Sequence, residues 1–204
     1  MDSHDVRRQW AERSGEFSPA YYAYYGPDER SEAVLGVLER FVDRDARVLE
    51  LGCSSGRHLA HLHDEGFERL AGIELNDEAL AVMTDNYPDL AATGRFYLDA
   101  IEDVVPEFDD DAFDVTYSVE TLQHIHPDAE WVFDDIARVT GDLIVTVENE
   151  GHDEEPPAET EVNYVQDEVP LYYRDWNAVF TQRGFEQVAV EDCDRDTLRA
   201  FRAV

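Results

Sequence analysis

Ala46-Arg47-Val48-Leu49-Glu50-Leu51-Gly52-Cys53-Ser54-Ser55-Gly56-Arg57-His58-Leu59 decides the architecture. Val48, Leu49 and Leu51 form a short apolar run that stops at Gly52, and a helical pattern begins within a few residues. That order reads as a buried strand, a tight turn and a helix N-terminus. Gly52 and Gly56 remove Cβ where the backbone turns sharply or lets a ligand approach. Free N–H groups at the helix start suit a polar or anionic ligand group. Glu50 is a carboxylate at the end of an otherwise buried strand. It must be hydrogen-bonded there, and the neighbouring glycine-loop N–H groups are its expected partners.

Working outward, the chain continues as alternating strands and helices. Arg69–Leu75 is a second short strand closed by Glu74, which lies 22 positions after Gly52. An acidic group about 20 residues beyond such a turn meets a ribose diol. Gly94–Asp99 is a third strand, again ending in an acid. Val115–Ser118 is the fourth and Leu143–Val147 the fifth. Helices are expected over 29–41, 57–64, 76–86, 128–139 (face Trp131, Val132, Ile136, Val139) and 173–183, with Val188–Val190 and Thr197–Val204 as closing strands. The predicted fold is α/β, three-layered and Rossmann-like: a doubly wound, mostly parallel seven-stranded sheet with an antiparallel strand near one edge. The carboxyl ends of such strands line one crevice, so Glu50, Glu74 and Asp99 are expected to share a site.

The 204 residues read as a single domain, 1–204. Asp and Glu total 48 against 16 basic residues, all of them arginine, for a net charge of −32. Charge of that size is self-repelling in dilute salt and well screened at molar ionic strength. It argues against nucleic acid or an anionic membrane as partner, since both require basic patches. The acid excess with no lysine resembles proteins of salt-in halophiles. No apolar run approaches a membrane span and the N-terminus lacks a signal-peptide core, so a cytoplasmic location is expected; the oligomeric state is left open.

Residues 1–30 are dense in aromatics, Trp10, Phe17, Tyr21, Tyr22, Tyr24 and Tyr25 among them. They are expected to form a lid whose rings stack on a ligand. With them, the ring-rich stretch Tyr164–Tyr173 supplies the expected substrate pocket: Trp10, Tyr21, Tyr25, Tyr164 and Tyr172. Residues 148–161, rich in acids, are expected to form a mobile loop. His58, His61 and His63 are read as surface residues and no metal site is expected, because no further ligands stand at recognised spacing. Cys53 is expected to pack as a small residue in the turn.

A dinucleotide fingerprint would require glycine where Ser54 and Arg57 stand. The pattern E-x-G-x-S-x-G resembles instead motif I of the class I S-adenosylmethionine (SAM) methyltransferases. Glu74, Asp99 and Phe113-Asp-Val-Thr-Tyr-Ser-Val-Glu-Thr-Leu-Gln-His124 look like their motifs II to IV, in order and at family spacing. The Ser118–His124 segment is similar to small-molecule methyltransferases related to ubiquinone-biosynthesis enzymes.

The resemblance implies SAM as cofactor. It places Gly52, Ser54 and Gly56, with Glu50, against the methionine part, Glu74 and Leu75 at the ribose, and Asp99, Ala100 and Ile101 at the adenine. Ser118 and Val119 would form the floor. It implies methyl transfer to a small-molecule acceptor, with His124 as the candidate general base. Methylation of RNA or protein, and non-catalytic SAM binding, are the alternatives. The departures are Ser54 for glycine, Thr140-Gly-Asp142 for the usual Pro-Gly-Gly, and the acidic loop after the fifth strand.

Overall fold

The computed structural model describes residues 2–151, 160–165 and 169–204. Five parallel strands, β1 (Arg47–Leu51), β2 (Arg69–Glu74), β3 (Arg95–Leu98), β4 (Phe113–Val119) and β5 (Thr140–Glu148), carry the expected alternation. They join β8 (Phe185–Cys193) and β9 (Asp196–Ala203) in one sheet of order β3-β2-β1-β4-β5-β9-β8, with β9 antiparallel to both its neighbours. The order reverses between β1 and β4, so the crevice of this doubly wound sheet opens beside the Gly52 turn.

Alternation along β1 decides which face each side chain meets. Val48 and Val115 bury with Tyr117 beneath helices α3 (Glu29–Phe41) and α4 (Arg57–Asp64). Leu49 and Leu51 face the opposite core with α8 (Val132–Val139) and α9 (Trp176–Thr181). Helix α3 starts on a reciprocal cap between Asp28 and Ser31, which satisfies donors that its first turn leaves open. Cys53 is buried against β2. A Cβ on Gly72 would stand 2.5 Å from its sulfur, so only glycine lets strand and turn approach so closely.

Several boundaries differ from the sequence expectation. Pro127–Ala129 is a separate 3₁₀ turn and α8 begins at Val132, so Trp131 precedes the helix and stays 48% exposed. The buried stripe is Val132, Phe133, Ile136 and Val139. Tyr173 does not open a helix. Val169–Tyr173 (β7) pairs antiparallel with β6 (Glu161–Val165) in a two-stranded hairpin outside the main sheet. Helix α9 starts only after Asp175, whose carboxylate accepts Ala178 N at 2.9 Å. The expected acidic loop falls largely on residues 152–159, outside the described residues. Among the described residues no helix is long and apolar enough to cross a membrane.

Candidate functional site

The carboxyl ends of β1, β2, β3 and β4 open into one cavity of about 1030 Å³, its mouth included. Its base is the Gly52 turn. Gly52 and Cys53 both donate their N–H to Ile73 O at 2.9 Å, so the turn is hung on the end of β2. Gly52 has φ +72, and a Cβ there would lie 2.4 Å from Thr121 Cγ2, which fixes the turn against the segment after β4. Ser54 sits at φ +48, a conformation costing a non-glycine residue roughly 1–2 kcal/mol. Its N–H is held at 2.7 Å by Glu74 Oε2.

Glu74, and not Glu50, takes the loop N–H groups. Its Oε1 accepts Leu75 N at 2.8 Å and Asn76 N at 2.7 Å. Burial pushes the Glu74 carboxyl up, against the pull of these three amides. A carboxylate has about four lone-pair positions, so one remains for a ligand hydroxyl. Glu50 shares the Val48 face of β1 and is fully buried opposite Tyr117, its register partner on β4. Neither its Oε2 nor the Tyr117 hydroxyl has a well-formed hydrogen bond. Burial holds its carboxyl well above the ordinary range, opposed by the nearby Tyr117 hydroxyl and the Arg57 charge. The expectation that the glycine loop would satisfy Glu50 is therefore wrong: in register with Gly72 it stands two residues deeper than Glu74 and lies in the core, while Glu74 and β2 already satisfy the turn.

Helices α1 (Ser3–Ala11) and α2 (Pro19–Tyr25) cover the other side. Asn76 Nδ2 donates to Arg13 O (3.0 Å) and Trp10 O (3.4 Å), tying the end of α1 to the end of β2. Trp10 lies against His124, ring centroids 4.7 Å apart. Arg57 stacks over Tyr22 at 4.8 Å and pairs with Asp28 at 3.0 Å. His124 Nδ1 is 2.9 Å from Pro170 O. A carbonyl only accepts, so Nδ1 carries the hydrogen and Nε2 keeps its lone pair. Burial lowers the His124 pKa to about 4, leaving the ring neutral at neutral pH.

Ten of the residues singled out from sequence line this cavity: Trp10, Gly52, Ser54, Glu74, Leu75, Asp99, Ala100, Ile101, Val119 and His124. Seven do not. Glu50 is in the core. Gly56 caps α4 at φ +80, packed on Met83. Ser118 donates its hydroxyl to Glu148 at 2.6 Å. Tyr21 and Tyr25 lie against each other as a tilted pair, centroids 4.8 Å apart, and Tyr25 is 62% exposed. As an i, i+4 pair they share one face of α2, while Pro19 and Tyr22 take the cavity side. Tyr164 is 52% exposed, and Tyr172 is buried edge-on to His126 at 5.5 Å.

Sequence reading also missed contributors. His58 is a buried cavity residue, not a surface one: Ser31 Oγ is 2.7 Å from its Nδ1 and burial lowers its pKa to about 3. The spacing His58, Leu59, Leu62 with Ala60 was its signal, since it shares the buried side of α4. Thr121 and Asn76 also line the cavity, though neither type advertises a role. Among the described residues no group of three or more His, Cys, Asp or Glu could hold a metal ion.

A switch-point cavity bounded by acids at successive strand ends, in this strand order, defines the class I methyltransferase fold. Residues 48–142 match the methyltransferase domain family. The chain has the fold of SAM-dependent methyltransferases of known structure. It is 26% identical over 126 residues, 59% of its length, to phosphoethanolamine N-methyltransferase 2 of Caenorhabditis elegans, of which it spans 28%. Magnesium protoporphyrin IX methyltransferase of Synechocystis PCC 6803, with bound S-adenosylhomocysteine, superposes with TM-score 0.71 at 10% identity, both chains covered in full. Burkholderia thailandensis 1,6-didemethyltoxoflavin-N1-methyltransferase, with bound 1,6-didemethyltoxoflavin and S-adenosylhomocysteine, does so with TM-score 0.67 at 17% identity, covering 99% of this chain and 84% of that one.

Proposed function

We propose that the chain methylates a small-molecule acceptor with SAM. The residues at the cavity fit that cofactor chemically. The remaining lone pair of Glu74 suits a ribose hydroxyl, Asp99 stands at the mouth for an exocyclic amine, and Ile73, Leu75, Ile101 and Val119 give apolar walls for a flat ring. When bound, SAM supplies a methyl group activated on a sulfonium. Glu50, buried behind the turn, does not touch the ligand in this reading. Residues 1–30 act as the lid, with Trp10 and Tyr22 as its inward rings.

His124 is the candidate base. Its neutral ring, with Nδ1–H fixed on Pro170 O, keeps Nε2 ready to take a proton from an acceptor N–H or O–H. The observation that carries the small-acceptor reading is the Trp10–His124 contact, which brings α1 over the cavity against the 122–124 turn. The net charge of −32 supports it, since an RNA substrate calls for basic patches.

Incubating the protein in molar KCl with methyl-labelled SAM and cell extract tests this. Label is expected in the small-molecule fraction; label confined to RNA or protein would overturn the acceptor class, and no transfer would favour a binding protein. Trp10→Ala is expected to cut transfer about tenfold through the lost ring contact while leaving SAM affinity nearly unchanged. Full transfer by that variant would remove Trp10 from the acceptor wall.

A further inference from the structure

After β4 the chain turns sharply at Glu120, φ +50, into the short 3₁₀ turn Leu122–His124. The amides at the head of this turn have no partners inside it. They converge on one side chain from another strand. Glu148, the last residue of β5, is completely buried. Its Oε1 accepts Ser118 Oγ at 2.6 Å, Leu122 N at 3.1 Å and Thr121 N at 3.3 Å. Its Oε2 accepts Gln123 N at 3.2 Å. Gln123 answers across the same gap, its Oε1 accepting Asn149 N at 2.7 Å. The residue that follows is His124.

We infer that Glu148 is a positioning residue: from the end of β5 its carboxylate binds the 121–123 backbone and so sets where His124 stands in the cavity. The functional consequence rests on the methyltransferase reading; the structural tie does not. Four donors aimed at one buried group favour its ionised form, because a protonated carboxyl has an O–H of its own to place and one acceptor position fewer for the amides. Around it stand Ser118 on β4, the three amides, the uncharged Thr197 opposite it in register on β9, and the guanidinium of Arg174 beyond β7. Burial pushes the Glu148 pKa up to about 7, against the pull of Ser118 and the amides.

The sign of this shift separates positioning from simple structural support. A carboxyl whose folded pKa is raised favours the folded state most when protonated, so its contribution to stability falls as pH rises toward 7. Holding the 121–123 segment does the reverse, since it is favoured by the ionised form. Transfer should therefore rise through about pH 7 while this group's stability contribution declines below it. His124, titrating near 4, cannot supply that limb.

The test uses the full chain in molar KCl, comparing wild type, Glu148→Gln and Ser118→Ala. At fixed pH, amide hydrogen exchange should quicken in peptides covering 119–125 of Glu148→Gln and stay unchanged across β1. Label transfer from SAM to the small-molecule fraction should fall about tenfold, as expected of a displaced catalytic group, with SAM affinity unaltered and the acid limb gone. Ser118→Ala keeps the carboxylate but removes one donor that favours its charge, so the limb should move to higher pH. Wild-type exchange and transfer in Glu148→Gln, or an unmoved limb in Ser118→Ala, would overturn the inference. Altered exchange in chains that transfer no label, wild type included, would uphold the tie and overturn the methyltransferase reading.

Discussion

Glu74→Ala is expected to weaken SAM binding roughly 100-fold, about 3 kcal/mol. The loss has two sources. One is the charged acceptor offered to a ligand hydroxyl. The other is the support of the turn itself, because Ser54 N, Leu75 N and Asn76 N all end on this one carboxylate. Removing it leaves Ser54 at φ +48 without the bond that steadies it. Glu74→Gln keeps one carbonyl oxygen and should lose less. Calorimetry of SAM and S-adenosylhomocysteine in molar KCl reads the effect directly. Affinity unchanged in the alanine variant would take Glu74 out of the cofactor site.

The second large effect is expected from salt. If every arginine found a partner, 32 carboxylates would still lack one. At millimolar ionic strength the Debye length exceeds the spacing of surface charges, whereas at about 1 M it contracts to about 3 Å. Folding concentrates these charges, so repulsion favours the expanded chain when screening is withdrawn. Dialysis from molar to millimolar KCl is expected to lower the melting temperature by tens of degrees or unfold the protein, a loss of several kcal/mol out of the usual 5–15. A melting temperature flat across that range would show that the acids are not an adaptation to brine.

The sheet was legible because its strands are short apolar runs broken by glycine and acid, as at Leu51-Gly52 and Ile73-Glu74. Register then brought Gly52, Glu74 and Asp99 to one edge without further information. What resisted reading depends on depth and direction and not on identity. Glu50 and Glu74 are both acids at strand ends and point to the same face, but Glu50 pairs in register with Gly72, two residues short of Glu74, so Glu50 lies in the core while Glu74 reaches the turn. Tyr21 and Tyr22 are adjacent on α2, and only Tyr22 faces the cavity. The β6–β7 hairpin escaped because Val162 and Tyr164 are exposed and its strands have no buried partner sheet to impose a strong pattern. Glu148 escaped because an acid ending a strand before an acid-rich stretch looks like more of the same surface charge.

The carbonyl of Pro170 that orients His124 belongs to that hairpin, a piece outside the main sheet. A backbone oxygen survives every side-chain replacement at its own position, so the imidazole tautomer is insulated from point mutation there. It is not insulated from displacement. If the hairpin shifts as a body, Nδ1 loses its acceptor and the two tautomers become interchangeable. In the proposed function, the readiness of His124 to take a proton therefore depends in part on how this hairpin is seated against the 122–124 turn.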